Sequence, residues 1–223
     1  MNAMILAAGR GERLRPLTES IPKPLVEVAG QTLLGRHLDR LARAGFTRAV
    51  INVSHHAGKI MARFGDGSRE GLRIDWSHEA APLETAGGIA QARALLGPEP
   101  FLLVNADIWC DYVFSKLRGF DLGKRLSHLV LVPNPPQHPP GDFSLEESVV
   151  GNAPSPRYTY AGIAVISPHL VAGVAAGQKA QLAPLWRAAA ERGQVTGELY
   201  EGYWSDVGTP ERLSALEARL KKT

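Results

Sequence analysis

Glycines, arginines and one lysine are concentrated near the amino terminus of the 223-residue sequence. The stretch LAAGRGERLRPLT occupies residues 6–18, and PKPL follows at residues 22–25. Glycine lets the backbone approach a phosphate closely and turn N–H groups toward it, while arginine offers a planar fork for phosphate oxygens. Two prolines flank Lys23 and restrict the backbone that aims its ammonium group. These residue types predict a loop that binds a polyphosphate.

Two common phosphate loops do not fit this segment. The P-loop pattern G-x-x-x-x-G-K-[ST] is absent, and Leu14 stands where the dinucleotide pattern G-x-G-x-x-G requires its third glycine. A solvated turn of charged residues is the simpler alternative. Three arginines together with a lysine between prolines argue against that alternative.

The segment resembles the signature of the sugar-1-phosphate nucleotidyltransferases, which runs AAG-x-G-x-R-L-R-P-L-T and continues with P-K-P-L. Both parts are present at residues 7–18 and 22–25, and the resemblance extends over nearly the whole chain. It implies that a nucleoside triphosphate is bound by Ala8, Gly9, Gly11, Glu12 and Arg13. It also implies that Arg13 and Lys23 neutralise charge at the α-phosphate during transfer.

Two aspartates are candidate magnesium ligands. Asp107 follows Asn105 and the apolar run 101–104, and Asp206 lies in WSDVGTP. An aspartate just past a buried strand points into the crevice where open α/β sheets bind ligands, and Mg²⁺ commonly takes one or two carboxylates with phosphate oxygens and waters. Taken alone, each aspartate fits a turn or a helix cap. The resemblance implies that both hold the catalytic Mg²⁺ and that Asn105 lies against the substrate.

The segment PLETAGG at residues 82–88 resembles the family segment P-L-G-T-A-G, which lies against the nucleobase. The resemblance implies base contacts from Glu79, Glu84 and Gly87. Glu84 replaces the glycine that many members carry. Two interpretations of its carboxylate stay open: it accepts a hydrogen bond from a base N–H, or it faces solvent.

For the sugar, the resemblance implies contacts from Gly141, Asn152 and Tyr160. Tyr160 stands where the family usually has asparagine, and Asn152 lies where its E-K-P segment is missing. These departures argue against an ordinary glucose 1-phosphate enzyme and leave room for a larger sugar. The LETAGG segment and the proline-rich stretch before GDF resemble most the members that act on N-acetylmuramic acid 1-phosphate in bacterial cell-wall recycling.

Strand and helix alternate through the first 110 residues. Apolar runs at 3–6, 49–53, 101–104 and 129–132 predict strands, and helices are predicted over 56–64, over 85–96 and around residues 34–42. This order predicts an α/β fold with a Rossmann-like, mixed, mostly parallel sheet and helices on both faces. The resemblance implies the GT-A-like form of that fold. We expect a single domain over residues 1–223, with a nucleotide-binding half at 1–110 and a sugar-binding half at 111–223.

The second half alternates less regularly. Prolines make residues 133–157 a predicted irregular loop, as a lid or rim beside the site. Beyond it we expect strands over 160–166 and 199–203, and helices over 181–192 and 210–220. Thr85 and Thr209 are predicted N-caps of their helices.

Composition restricts the class of partner. The net charge is +3 and the basic residues are dispersed among acids, which argues against nucleic-acid binding. No apolar run reaches the length of a membrane span, and the first residues do not resemble a signal peptide. One cysteine, Cys110, excludes an internal disulfide. We therefore expect a cytoplasmic protein without a membrane partner, as a monomer or small homo-oligomer.

The predicted function is transfer of UMP from UTP to a sugar 1-phosphate, with Mg²⁺ as cofactor and release of pyrophosphate. Sister reactions remain open, namely GTP with mannose 1-phosphate and dTTP or UTP with glucose 1-phosphate. A cytidylyltransferase acting on an alcohol phosphate such as phosphocholine is a further alternative. A non-catalytic nucleotide-sugar sensor is the alternative from another class.

Overall fold

The computed structural model describes residues 1–67 and 71–221. The strands of these ranges are β1 Ala3–Leu6, β2 Glu27–Val28, β3 Gln31–Thr32, β4 Arg48–Val53, β5 Arg73–His78, β6 Phe101–Asn105, β7 Ile108–Cys110, β8 Ser127–Val132, β9 Phe143–Glu146, β10 Val149–Gly151, β11 Arg157–Ile166, β12 Val195–Leu199 and β13 Trp204–Asp206. The helices are α1 Leu17–Ser20, α2 Leu33–Arg43, α3 Ala57–Phe64, α4 Glu84–Leu96, α5 Ala183–Glu191 and α6 Pro210–Leu220.

The main sheet is mixed and runs through both halves of the chain. Within the described residues its nine strands have the order β5-β4-β1-β6-β11-β8-β12-β10-β9. β5, β4, β1 and β6 are parallel, and β11 is antiparallel to both β6 and β8. Because β11 pairs with β6, the sheet is continuous across residue 110. The division into a nucleotide half and a sugar half stays a prediction.

Helices cover both faces of the sheet, as predicted. In β1, Ala3 and Ile5 belong to the apolar cluster that includes residues of α2 and α3, whereas Met4 belongs to the cluster that includes residues of α4 and α5. Alternate residues of a strand point to opposite faces, so a strand covered on both sides must be apolar at every position. This explains why the first strands are continuous apolar runs in the sequence.

Several boundaries differ from the predictions. The strand expected at 199–203 is wrong, since pairing occurs over Val195–Leu199 and Trp204–Asp206 on either side of it. The stretch 133–157, expected to be irregular, contains the β9–β10 hairpin. Thr85 is not an N-cap, because α4 begins one residue earlier at Glu84. Thr209 is confirmed as the cap of α6 and accepts from the Arg212 N–H at 3.4 Å.

None of the helices in the described ranges is both long and apolar enough to cross a membrane.

Candidate active site

A cleft of about 970 Å³ opens beyond the carboxyl ends of β1 and β6. The chain runs from β1 to β4 and β5 on one side and then places β6 on the other side of β1. This change of direction is the switch point at which open α/β sheets bind ligands. The predicted site residues that line the cleft are Ala8, Gly9, Gly11, Glu12, Arg13, Lys23, Glu79, Glu84, Asn105 and Asp107.

The glycine-rich loop is held in a compact shape by Gly11. Its φ of 67° lies in the left-handed region, and its carbonyl accepts from Leu14 N at 2.9 Å and Thr18 Oγ1 at 2.8 Å. A Cβ at this position would lie 3.0 Å from Thr18 Cγ2 and 3.1 Å from Lys23 Cβ. Glycine is therefore required here both for the backbone angle and for the close approach of Lys23.

Lys23 and Asp107 meet inside the cleft. Lys23 Nζ lies 2.5 Å from Asp107 Oδ2, across 84 positions of sequence, and the lysine side chain is only 12% exposed. The pair joins the glycine-rich loop to the end of β6. A cation and a carboxylate are thereby fixed at the place where phosphates would enter.

Asp206 reaches the same region through a short two-stranded sheet. β13 pairs with β7 so that Asp206 lies opposite Ile108, and Val207 N donates to the Asp107 carbonyl at 2.8 Å. The Asp206 carboxylate accepts from Gln137 Nε2 at 2.9 Å and forms an ion pair with Arg212. The two predicted metal ligands are therefore neighbours, although the fold must bring them together from distant positions.

The chemistry of these donors fits Mg²⁺. Two carboxylates at or beside the cleft would supply the hard oxygen ligands that Mg²⁺ takes, with the remaining positions left for phosphate oxygens and waters. A cluster of three or more His, Cys, Asp or Glu side chains in metal-binding geometry is absent from the described ranges. A magnesium site of this open kind does not need such a cluster.

Glu79 is a buried link between loops. The residue is 2% exposed, and its oxygens accept from Asn52 Nδ2 at 2.7 Å and from Leu83 N at 3.0 Å. Asn52 Oδ1 in turn accepts from Ala7 N at 2.7 Å. Both Glu79 oxygens are engaged by the protein, so this carboxylate positions the loop at residues 82–88. The base contact predicted for it has no support in this arrangement.

The loop at residues 82–88 presents Glu84 to the cleft. Glu84 has a φ of 62°, a backbone angle that glycine adopts more easily than other residues do. The Glu84 Oε1 atom lies 3.7 Å from Lys179 Nζ. Gly87 is placed differently from the prediction, because it does not line the cleft. Its N–H donates to Ala180 O at 3.1 Å, and a Cβ there would lie 2.3 Å from Gln178 O.

The comparison with protein families agrees with this site. The model of the family described as nucleotidyl transferase matches residues 2–143, which contain the glycine-rich loop, Lys23 and Asp107. The chain belongs to the nucleotidyl transferase family.

Two relatives of this nucleotidyl transferase match nearly the whole chain. The N-acetylmuramate alpha-1-phosphate uridylyltransferase of Neisseria meningitidis serogroup B is 47% identical, over 98% of this chain and 97% of its own. The enzyme of the same name from Caulobacter vibrioides is 36% identical, over 98% and 96%. A crystallised Bacillus anthracis protein, assigned as a glucose-1-phosphate thymidylyltransferase, superposes with a TM-score of 0.85 over 100% of this chain and 96% of its own. At 18% identity, that likeness confirms the fold alone.

Three residues predicted to contact the sugar do not line the cleft of this nucleotidyl transferase. Gly141 has a φ of 63° and packs against Asn134, and Asn152 Nδ2 donates to Arg187 O at 3.0 Å. The Tyr160 ring contacts Trp186 at 4.7 Å between centroids. These predictions come from aligned motifs, and the structure places all three residues where they support the fold.

The hydroxyl of Tyr160 is buried and has no hydrogen-bond partner among the described residues. Burial, and then the nearby Asp142 carboxylate, raises the pKa of Tyr160 above its ordinary value. The hydroxyl therefore stays protonated at neutral pH. It is not available as an ionised group for chemistry.

Four residues of the site were missed by the sequence analysis: Asn52, Gln137, Lys179 and Arg212. Asn52 carries a signal, because it interrupts the apolar strand β4 with a buried amide. Arg212 carries another, because it lies six positions after Asp206 on the helix that Thr209 begins. Gln137 and Lys179 meet the site only through tertiary contacts, so local sequence gives no indication of them.

Proposed function

We propose that this nucleotidyl transferase moves UMP from UTP to N-acetylmuramic acid 1-phosphate and releases pyrophosphate. The observation that carries the proposal is the 2.5 Å contact between Lys23 Nζ and Asp107 Oδ2 at the mouth of the glycine-rich loop. This buried cation in the cleft supports the assignment of Lys23 to the charge of a bound triphosphate. The choice of nucleotide and sugar is supported by two relatives that carry this activity in their names across nearly the whole chain.

The proposed reaction is a direct in-line displacement. An oxygen of the sugar 1-phosphate bonds to the α-phosphorus of UTP, and the bond from that phosphorus to the bridging oxygen of the β-phosphate breaks. Pyrophosphate leaves with the electron pair of that bond. The attacking oxygen is already anionic, so no general base is needed and catalysis consists of alignment and charge neutralisation.

The residues of the cleft divide this work. Backbone N–H groups of Gly9 and Gly11 bind the phosphates of the triphosphate. Arg13 and Lys23 neutralise charge at the α-phosphate, where negative charge is redistributed as the bonds exchange. Asp107 and Asp206 would hold Mg²⁺, which when bound neutralises phosphate oxygens. Arg212 and Gln137 fix the orientation of the Asp206 carboxylate.

The proposed setting is the bacterial cytoplasm, where the UDP-sugar would serve the recycling of cell-wall sugars. The support is the muramic acid sugar in the names of both relatives.

The test is a screen of substrate pairs with pyrophosphate release as the readout. UTP, GTP, dTTP and CTP are each combined with the 1-phosphates of N-acetylmuramic acid, N-acetylglucosamine, glucose and mannose, with and without Mg²⁺. The proposal expects the highest kcat/KM for UTP with N-acetylmuramic acid 1-phosphate, and only with Mg²⁺. Preference for another pair overturns the substrate choice. No turnover with any pair favours a binding protein without catalysis.

A further inference from the structure

The proline-rich segment at residues 133–142, called the rim below, has a fixed conformation. Five of its ten residues are proline. Asn134 closes the segment at its base: its Nδ2 donates to Pro139 O and Arg157 O, each at 3.0 Å, and its Oδ1 accepts from Thr159 Oγ1 at 2.9 Å. Proline restricts φ and lowers the entropy lost on ordering, so the rim is a pre-formed surface.

The rim lies beside the transfer site. At its tip, Gln137 Nε2 donates to Asp206 Oδ1 at 2.9 Å. At its end, Asp142 Oδ2 accepts from Tyr160 N in β11 at 2.8 Å. Two residues further along β11, a Cβ on Gly162 would lie 3.1 Å from Asn105 Cβ, at the floor of the cleft. Two strand residues span about 7 Å, so the distance from the rim to the floor of the cleft is comparable to the length of one sugar ring with its substituents.

His138 is the basic side chain of the rim, and a carboxylate orients it. Its Nε2 lies 3.0 Å from Asp142 Oδ1, and its backbone N–H donates to Pro135 O at 2.9 Å. The side chain is 40% exposed, and Nδ1 makes no hydrogen bond to any residue that the structure describes. An imidazolium donates from both nitrogens. In that form His138, the neighbour of Gln137, can bridge Asp142 to a second anion bound beside Asp206.

The acceptor named in the proposed function supplies such an anion. N-acetylmuramic acid differs from N-acetylglucosamine by a lactyl ether that ends in a carboxylate. Lys23, Lys179 and Arg212 are already paired with Asp107, Glu84 and Asp206. His138, next to Gln137 on the rim, is a basic group near Asp206 that is suited to an anionic substituent.

We propose that His138, oriented by Asp142, binds the lactyl carboxylate of N-acetylmuramic acid 1-phosphate and selects this acceptor over N-acetylglucosamine 1-phosphate. The inference rests on the proposed function and names the specificity residue of the acceptor site. An imidazolium and a carboxylate form a charge-assisted hydrogen bond. The 1-phosphate is the other anionic group that the imidazolium could meet, and the experiment separates the two.

The experiment measures kcat and KM of the wild type, His138→Gln and Asp142→Asn with each acceptor at saturating UTP and Mg²⁺. For N-acetylmuramic acid 1-phosphate, His138→Gln is expected to lower kcat/KM by about 10- to 100-fold, mainly through KM, as for one hydrogen bond between charged groups. For N-acetylglucosamine 1-phosphate the change is expected to stay within about 3-fold, since this acceptor lacks the partner group. Asp142→Asn is expected to give a smaller loss confined to the first acceptor.

The matched control is His169→Ala. His169 is exposed on the turn Pro168–Val171, outside the rim. Its kinetics with both acceptors should equal those of the wild type. Thermal unfolding of each variant shows whether the fold is retained. A general loss of active protein would lower kcat/KM for both acceptors equally, so the ratio of the two values would not change.

Each outcome has one meaning. Loss of kcat/KM with both acceptors to the same extent assigns His138 to the 1-phosphate and overturns the proposal. Unchanged kinetics with N-acetylmuramic acid 1-phosphate also overturn it, while the proposed function stands on the wild-type activity. If the wild type does not use N-acetylmuramic acid 1-phosphate, the proposed function fails, and the role of His138 fails with it.

Discussion

Two asparagines show how differently the two sides of the cleft are held. On the nucleotide side, Asn52 is 4% exposed and links Ala7 N to the buried carboxylate of Glu79. On the acceptor side, Asn134 links Pro139, Arg157 and Thr159 in a rim that is partly open to solvent. A buried polar network must be complete, whereas surface groups can exchange partners with water. We therefore expect the surroundings of Asn52 to tolerate little sequence change and the rim to tolerate more.

The largest expected effect is on the nucleotide side and does not depend on the acceptor. Lys23→Met removes the buried cation beside Asp107, and loss of one such charge costs on the order of 10²- to 10³-fold in kcat. The loss should be equal, within error, for every sugar 1-phosphate that the wild type uses. Lys124→Met, at an exposed surface position, is the control. A loss that varied strongly with the sugar would place Lys23 on the acceptor side.

The second prediction concerns Asn52. Asn52→Ala leaves the Ala7 N–H and the Glu79 carboxylate without their partner in a buried place, which costs about 1–3 kcal/mol of unfolding free energy. The KM for UTP should rise, because both adjoining loops line its cleft, while the KM for the sugar 1-phosphate changes little. Urea unfolding and steady-state kinetics measure the two effects. An unchanged urea midpoint would show that water can replace the Asn52 amide as the hydrogen-bond partner of Ala7 and Glu79.

The third prediction is the matching change on the acceptor side. Asn134→Ala removes the ties at the base of the rim, and we expect about 1 kcal/mol of destabilisation because this region is only partly buried. Here the KM for the sugar 1-phosphate should rise while the KM for UTP is unchanged. If Asn52→Ala and Asn134→Ala gave the same pattern of KM changes, the contrast between the two sides would be wrong.

The smallest effect is expected at Glu84. A φ of 62° causes less backbone strain in glycine than in glutamate, but glycine also loses more conformational entropy on folding. Glu84→Gly should therefore change the unfolding free energy by less than about 1 kcal/mol in either direction. A larger loss in thermal or urea unfolding would mean that the ion pair with Lys179 contributes more than its exposed position indicates.

Local patterns predicted the parts of the fold that local chemistry determines. The apolar run at β1 and the cap at Thr209 each follow from residues close in sequence. The β9–β10 hairpin was missed, and the strand near residue 199 was misplaced, because β12 and β13 pair with the distant strands β8 and β7. Pairing of that kind is not encoded in the period of a single strand.

The residues of the candidate site also divide into those that local sequence patterns identified and those that they did not. The glycine-rich loop and Lys23 were identified from one motif, Asp107 was identified from its place after the apolar run 101–104, and the structure brings them together. Gly141, Asn152 and Tyr160 were assigned to the sugar by alignment with motifs that this sequence keeps poorly, and they lie outside the cleft. Gln137 contacts Asp206 across 69 positions of sequence, which no local pattern shows.

The proposed UMP transfer depends most directly on Asp107. The decisive measurement is single-turnover formation of the UDP-sugar from UTP and N-acetylmuramic acid 1-phosphate at saturating Mg²⁺, for the wild type and Asp107→Ala. We expect the rate constant to fall by on the order of 10²-fold or more, since the variant loses the carboxylate beside Lys23 that would hold Mg²⁺ at the transferred phosphate. A folded Asp107→Ala protein that forms product at the wild-type rate would contradict the account.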